Sequence, residues 1–429
     1  MIRKNFFRIA VTGILSVAAS LLCRTESQAC TGISFTAADG SIAAARSIEW
    51  ASERLDSRYV VVPRGHSFTS LAPEGNAGMT FTARYGFAGV RVMSDDLVVE
   101  GLNEKGLSAG LFFFPGYGSY EDFDPCLKST TLCDFQVVAW ALSSFSTVGE
   151  VIEALPKLHI VGLDRNVGAV HWRFADRSGR QVVLEIVDGK PHFYENTLGV
   201  LTNAPGFEWH LTNLGNYVNL KQGNAGENIW KPEKFRVNAL SGGSGMLGLP
   251  GDPTSPSRFV RVAVYKMTAP TPQNGKAAVL QSFKILESLV IPIGIVQSEN
   301  ASMTATDTDG KTRDGMLTST QFTTASDLTS LKFYYRTMDN SRIRCIDLAD
   351  INFAKVKYRS VPLDRTGEEF EMIRLSIHSG SPRSRVTVSN MKTGWRFCHP
   401  ALIYSGLYES LSTVVLLNTG CSGVLSGSL

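Results

Sequence analysis

Net charge is almost missing from this chain: 42 Lys and Arg against 39 Asp and Glu leave +3 over 429 residues. No long basic run accompanies it, which argues against nucleic acid as a partner. Histidine is scarce as well. The seven that occur include no HExxH and no pair at metal-ligand spacing, so no metal is expected. Seven cysteines match no zinc pattern. The glycine-rich Ser241-Gly242-Gly243-Ser244-Gly245 follows no clear strand and lacks the lysine of a phosphate-binding loop. It reads as a flexible loop, and no cofactor is expected. Heptads, internal repeats and any linker able to divide residues 31–362 are also absent. What is present is ordinary for a globular chain: 43% hydrophobic and 19% charged residues, enough to bury a core as one or two domains. Thirty-nine glycines with 10% aromatics point to strands joined by tight turns.

The only long apolar run lies at the start. Arg3, Lys4 and Arg8 precede a run over residues 9–22, and Ser27-Gln28-Ala29 puts small residues where a signal peptidase reads. This is the layout of a secretory signal peptide. The run is short for a bilayer-spanning anchor. A lipoprotein signal, with Cys30 lipidated, fits less well because the residues before Cys30 lack the usual leucine-led pattern. Cleavage after Ala29 makes Cys30 the first residue, with a free α-amine. Its thiol can then pass a proton to its own amine, whose reference pKa of about 7.7–8.0 is near neutrality. Such a site attacks amide carbonyls, and it needs a cation near the thiolate and donors for the oxyanion. Beyond Cys23 and Cys30 the remaining five cysteines are odd in number. Cys126 and Cys133 are the expected pair, with buried free thiols as the alternative.

Strand signals dominate residues 31–362. Hairpins are expected over residues 31–50 (turn Asp39-Gly40), 97–114 (turn Glu104-Lys105-Gly106), 169–186 (turn at 176–179, continuing towards Asn203) and 333–346 (turn Asp339-Asn340). Helical spacing marks residues 131–142, 147–155 and 277–289. Antiparallel runs with helices in blocks indicate α+β. Residues 365–429 show weak periodicity and no clear structure.

The residues around Cys30 carry a resemblance. Cys30-Thr31-Gly32-Ile33-Ser34-Phe35, then Asp39-Gly40, then Arg46-Ser47-Ile48-Glu49-Trp50 resembles the start of the choloylglycine hydrolase family, which comprises bile salt hydrolases and penicillin V acylases among the N-terminal nucleophile hydrolases. Four further blocks follow in family order. They are Gly101-Leu102-Asn103-Glu104-Lys105-Gly106-Leu107 with Phe114-Pro115-Gly116-Tyr117; Asn196 with Gly199-Val200-Leu201-Thr202-Asn203-Ala204-Pro205; Leu249-Pro250-Gly251-Asp252 with Ser255-Pro256-Ser257-Arg258-Phe259-Val260-Arg261; and Tyr334-Tyr335-Arg336-Thr337 through Asp339-Asn340. Any one block is weak, and five in register are specific.

The resemblance implies a four-layer αββα sandwich spanning residues 30–364, after a signal peptide over 1–29 and before a C-terminal extension over 365–429. It implies Cys30 as nucleophile with its α-amine as base, Arg46 beside the thiolate, Asn103 as oxyanion donor, Asn203 positioning the amine or substrate, and Arg258 organising the cluster. Where the family usually has Asp, this chain has Glu49, which keeps a carboxylate for the Cys30 amine but lengthens its reach by roughly an ångström. The implied substrate is a small-molecule acyl amide. Conjugated bile salts, releasing glycine or taurine, come first; penicillin V or an N-acyl homoserine lactone is the alternative. A catalytically inactive binding protein, with Glu49 as the sign of decay, is the rival from another class. A homotetramer, no membrane association after signal removal, and a periplasmic or secreted location complete the expectation.

Overall fold

Hairpins and a few capped helices do build the molecule. A computed structural model describes residues 29–364, apart from 52–54, 164–167, 227, 231–234, 238, 240 and 298–316. The expected signal peptide up to Gln28 and the expected extension over 365–429 lie outside the described residues.

Among the described residues, fifteen strands form two large sheets. In chain order they begin β1 (Ala29–Thr36), β2 (Ile42–Ala51), β3 (Ser57–Val62), β4 (Phe87–Val92), β5 (Val98–Asn103), β6 (Ser108–Phe113), β7 (Val170–Ala175) and β8 (Gln181–Val187). There follow β9 (Lys190–Glu195), β10 (Val200–Leu201), β11 (Val296–Gln297), β12 (Leu317–Asp327), β13 (Lys332–Thr337), β14 (Arg344–Asp347) and β15 (Arg359–Pro362). The first sheet runs β10-β1-β2-β12-β13-β14, with β11 also against β12. The second is a meander, β3 to β9 in order, with β15 added beside β3.

All four expected hairpins form: β1–β2, β5–β6, β7–β8 and β13–β14. Gly40 and Gly106 take φ of +82° and +86° at two of the turns, where a side chain would be strained. The helices are α1 (Val137–Ser144), α2 (Val148–Ala154), α3 (Phe207–Asn213), α4 (Ser255–Thr268) and α5 (Gly275–Glu287). Helices α4 and α5 cover the outer face of the first sheet, and α1 covers β5 and β6 of the second. The inner faces meet where β1 touches β6 and β12 touches β5, completing an αββα sandwich. Strand β1 is accordingly buried along almost its whole length, because it has protein on both faces.

One helix starts well after the point that the sequence pattern gives. Residues 131–133 form a short strand parallel to His159–Val161, and a 3-10 turn over Asp134–Gln136 precedes α1. Helix α1 is buried on all sides from Val137 to Ser143, so periodicity could not place its boundary. By contrast, α2 starts where its cap dictates: Thr147 accepts from Glu150 N–H while Glu150 reaches back to the cap. Among the described residues, no helix is long and apolar enough to cross a membrane. Cys126 and Cys133 are both free, which corrects the expected pairing: Cys126 is exposed and Cys133 is buried beside Asp134.

Candidate active site

Hairpin register brings the site together. Cys30 lies opposite Ile48, so Arg46 and Glu49 fall on the strand beside it, with Glu49 facing Ala29 across the ladder. Gly32 on β1 has no side chain, and the ring of Phe112 on β6 takes that space. The guanidinium of Arg46 lies over the same ring, 4.5 Å from its centre.

Arg46 is fully buried. Its Nε donates to Ser47 O (3.0 Å) and its Nη1 to Val99 O (3.4 Å), while Nη2 has no hydrogen-bond partner. Glu49 is equally buried. Thr320 Oγ1 donates to its Oε1 at 3.2 Å, and its Oε2 has no partner. Thr320 lies beside a bulge in β12 opposite Glu49 and Ile48. Burial raises the Glu49 carboxyl above its ordinary pKa, and the charge of Arg258 opposes that shift. Burial likewise lowers Arg258, opposed first by Glu49 and then by Cys30.

Arg258 enters from the first turn of α4. Asp252 shapes the loop before it, accepting from Thr254 N–H (3.0 Å) and from Ser257 Oγ (2.6 Å), while Thr254 holds the cap position. The guanidinium then donates to Cys30 O (2.6 Å), Thr31 Oγ1 and Asn203 Oδ1 (2.8 Å). Asn203 Oδ1 also accepts from the Cys30 nitrogen at 2.6 Å, and Asn203 Nδ2 donates to Phe113 O at 2.8 Å. Five of the six expected residues thus gather at one end of β1: Cys30, Arg46, Glu49, Asn203 and Arg258.

Asn103 does not join them. It closes the β5–β6 turn, where its Oδ1 accepts from Lys105 N–H and Leu107 N–H, both at 3.0 Å. Its two amide hydrogens go to Leu142 O (2.9 Å) and Phe145 O (2.7 Å) at the end of α1. The expected oxyanion role is corrected on that ground, since the amide has no donor left to offer.

A narrow cavity opens beside Cys30, with Arg46 and Glu49 on its wall and free space of about 20 Å³, close to one water. The rest of its lining is apolar and includes Ile48, Trp50, Leu111, Phe113 and Phe135. Trp50 adds an aromatic wall to the cavity. A phenylalanine run over residues 112–114 reads as core strand with one face able to line a substrate groove, and Phe113 lines the cavity; Thr320 gives no signal, because nothing marks one threonine in a Thr-rich strand. Among the described residues, no cluster of three or more His, Cys, Asp and Glu could hold a metal ion.

The fold and the grouped side chains are those of an amide-cleaving hydrolase, and the comparisons with known proteins agree. The family of linear amide C–N hydrolases called the choloylglycine hydrolase family matches residues 30–361, and the chain belongs to that family. Its matched segment begins at Cys30. A bile salt hydrolase/transferase of Clostridium perfringens is 29% identical over 343 residues, covering 79% of this chain and 98% of that protein. A penicillin V acylase of Pectobacterium atrosepticum is 25% identical over 341 residues, covering 72% and 78%. The solved conjugated bile acid hydrolase from C. perfringens superposes with a TM-score of 0.64 at 28% identity, covering 80% of this chain and all of that one. Two of its structures carry a cysteine-to-alanine and an arginine-to-leucine substitution sixteen positions apart, the same separation as Cys30 and Arg46.

Proposed function

We propose that the chain is exported, is cleaved after Ala29, and then hydrolyses conjugated bile salts with Cys30 as its N-terminal nucleophile. The observation that carries this reading is the contact of 2.6 Å between the Cys30 nitrogen and Asn203 Oδ1. Cleavage turns that nitrogen into an α-amine already held by an acceptor. Glu49 Oε2, buried and unpartnered, stands ready for the charged amine, and Arg46 Nη2 for the thiolate. Charge supports the same assignment. Arg46 lies near two buried carboxylates, Glu49 and Glu100, and as a fixed cation it favours the thiolate form of Cys30, whose proton passes to its own amine.

The thiolate attacks the acyl carbon, the amine returns the proton to the departing glycine or taurine, and water releases the acid from the S-acyl enzyme. Arg258 holds the Cys30 carbonyl and Asn203 together, so nucleophile and base keep one geometry. The basic start and apolar run of residues 3–22 support export to the periplasm or the medium. Assembly as a homotetramer belongs to this reading by resemblance.

A second substrate reading rests on the narrow apolar cavity, which suits a slim acyl group such as phenoxyacetyl or a fatty chain better than a steroid. Mature protein offered glycocholate, taurocholate, penicillin V and an N-acyl homoserine lactone separates the two. Release of glycine and taurine is the expected result. Release from penicillin V or the lactone alone would transfer the assignment to the second reading. No release from any of the four would mark a binding protein.

A further inference from the structure

Two buried histidines lie just behind the site, and the catalytic steps above use neither. His210 on α3 places Nε2 2.8 Å from the carbonyl of Asn203. His171 on β7 places Nε2 2.9 Å from the carbonyl of Thr202. A carbonyl only accepts, so each ring donates its Nε2–H, which fixes the tautomer of His210, a ring that burial holds neutral with its pKa lowered to about 4. Each ring is also locked by an aromatic neighbour. His171 stacks on Phe114 at 4.4 Å and His210 on Phe259 at 4.6 Å. Glu185 Oε1, 3.3 Å from His171 Nδ1, orients the first ring, and the same oxygen accepts from Phe207 N–H at the start of α3.

The need for such a clamp follows from the topology. Strand β10 pairs with β1 only through Val200 and Leu201, so the ladder ends before Thr202. Beyond it, Asn203 has no strand to hold its backbone. Its N–H goes to Ser255 Oγ (3.0 Å), and the two carbonyls go to the histidines. We propose that His171 and His210 are positioning residues for the amide hydrolysis, each fixing one carbonyl of Thr202 and Asn203 so that Asn203 Oδ1 stays on the Cys30 nitrogen. They touch neither substrate nor thiol and act through Asn203. The proposal rests on the reading of Cys30 as nucleophile.

The test is a double-mutant cycle on protein that begins at Cys30. Two quantities are read: the rate at which iodoacetamide alkylates the Cys30 peptide, followed by mass, and kcat and KM for glycocholate. His210→Leu is expected to lower alkylation and kcat by about tenfold or more, with KM changed less than about threefold. His210→Gln, which keeps a donor at nearly the same reach, restores most of the loss. In an Asn203→Ala background, His210→Leu has no further effect. His210→Leu at wild-type rates would overturn the proposal, as would the same loss with and without Asn203. Should that variant not fold, His210→Asn, whose shorter amide stops short of the Asn203 carbonyl, carries the same comparison. An active Cys30→Ala control would instead sink the nucleophile assignment, so the two failures are told apart.

Discussion

Replacing Cys30 with alanine is expected to abolish amine release, a loss on the order of 10⁴-fold or more, without unfolding the protein. The size follows from what one atom does here. No other thiol lines the cavity, and in the proposed mechanism Cys30 is both the nucleophile and the bearer of the base, so no neighbour can replace the thiol. The structural cost is small. The thiol is one small side chain in a core of dozens, and the backbone contacts to Asn203 and Arg258 use the nitrogen and carbonyl that alanine keeps. Amine release beside a thermal melt checks both halves. Turnover by the alanine variant would contradict the mechanism, and Cys30→Ser, with a weaker nucleophile in the same place, should be nearly as inactive.

Arg258→Leu has the second largest expected effect and acts on stability as well. The guanidinium donates to Cys30 O, Thr31 Oγ1 and Asn203 Oδ1, and it lies near the fully buried Glu49. Removing it strands a buried carboxylate, which costs about 3–5 kcal/mol when a buried partner is lost. It also leaves Asn203 Oδ1 tied to the strand by the Cys30 nitrogen alone, so turnover should fall by roughly a hundredfold or more. Urea unfolding with amine release on the same preparations checks this. Arg258→Lys should recover part of the stability, because it restores charge, but little of the rate, because it lacks the planar fork that spans three acceptors. A fully active, fully stable leucine variant would show that Arg258 is a bystander.

Much of this is legible in the sequence. Turn chemistry at Gly40 and Gly106 set the hairpins, and hairpin register then carried Arg46 and Glu49 to the side of Cys30. Asn203 and Arg258 were placed by their motif contexts, and both now bond groups of Cys30. What failed did so for physical reasons. Asn103 sits in a motif as distinctive as that of Asn203, and a sequence cannot show that a turn and the end of α1 consume all of its hydrogen bonds. The strand over residues 131–133 reads as helix because its apolar residues continue the pattern of α1. The histidine clamp gave no signal, since His171 and His210 are 39 residues apart and meet only because β7 and α3 both approach the chain beyond β10. Glu49 in place of the family's aspartate keeps its carboxylate within the cluster, so the substitution lengthens an arm without removing a charge.

The central claim is that chemistry begins only when the Cys30 nitrogen becomes a free amine. In the structure that nitrogen is still an amide, preceded by Ala29, which is buried opposite Glu49. The most direct measurement compares two preparations on glycocholate, taurocholate, penicillin V and an N-acyl homoserine lactone: protein beginning at Cys30, and protein retaining Ala29, each with its N-terminus confirmed by intact mass. Amine release by the first, and none above the Cys30→Ala blank by the second, is the predicted result. Equal turnover by both would mean that the α-amine is not the base, and the account would fail at its first step.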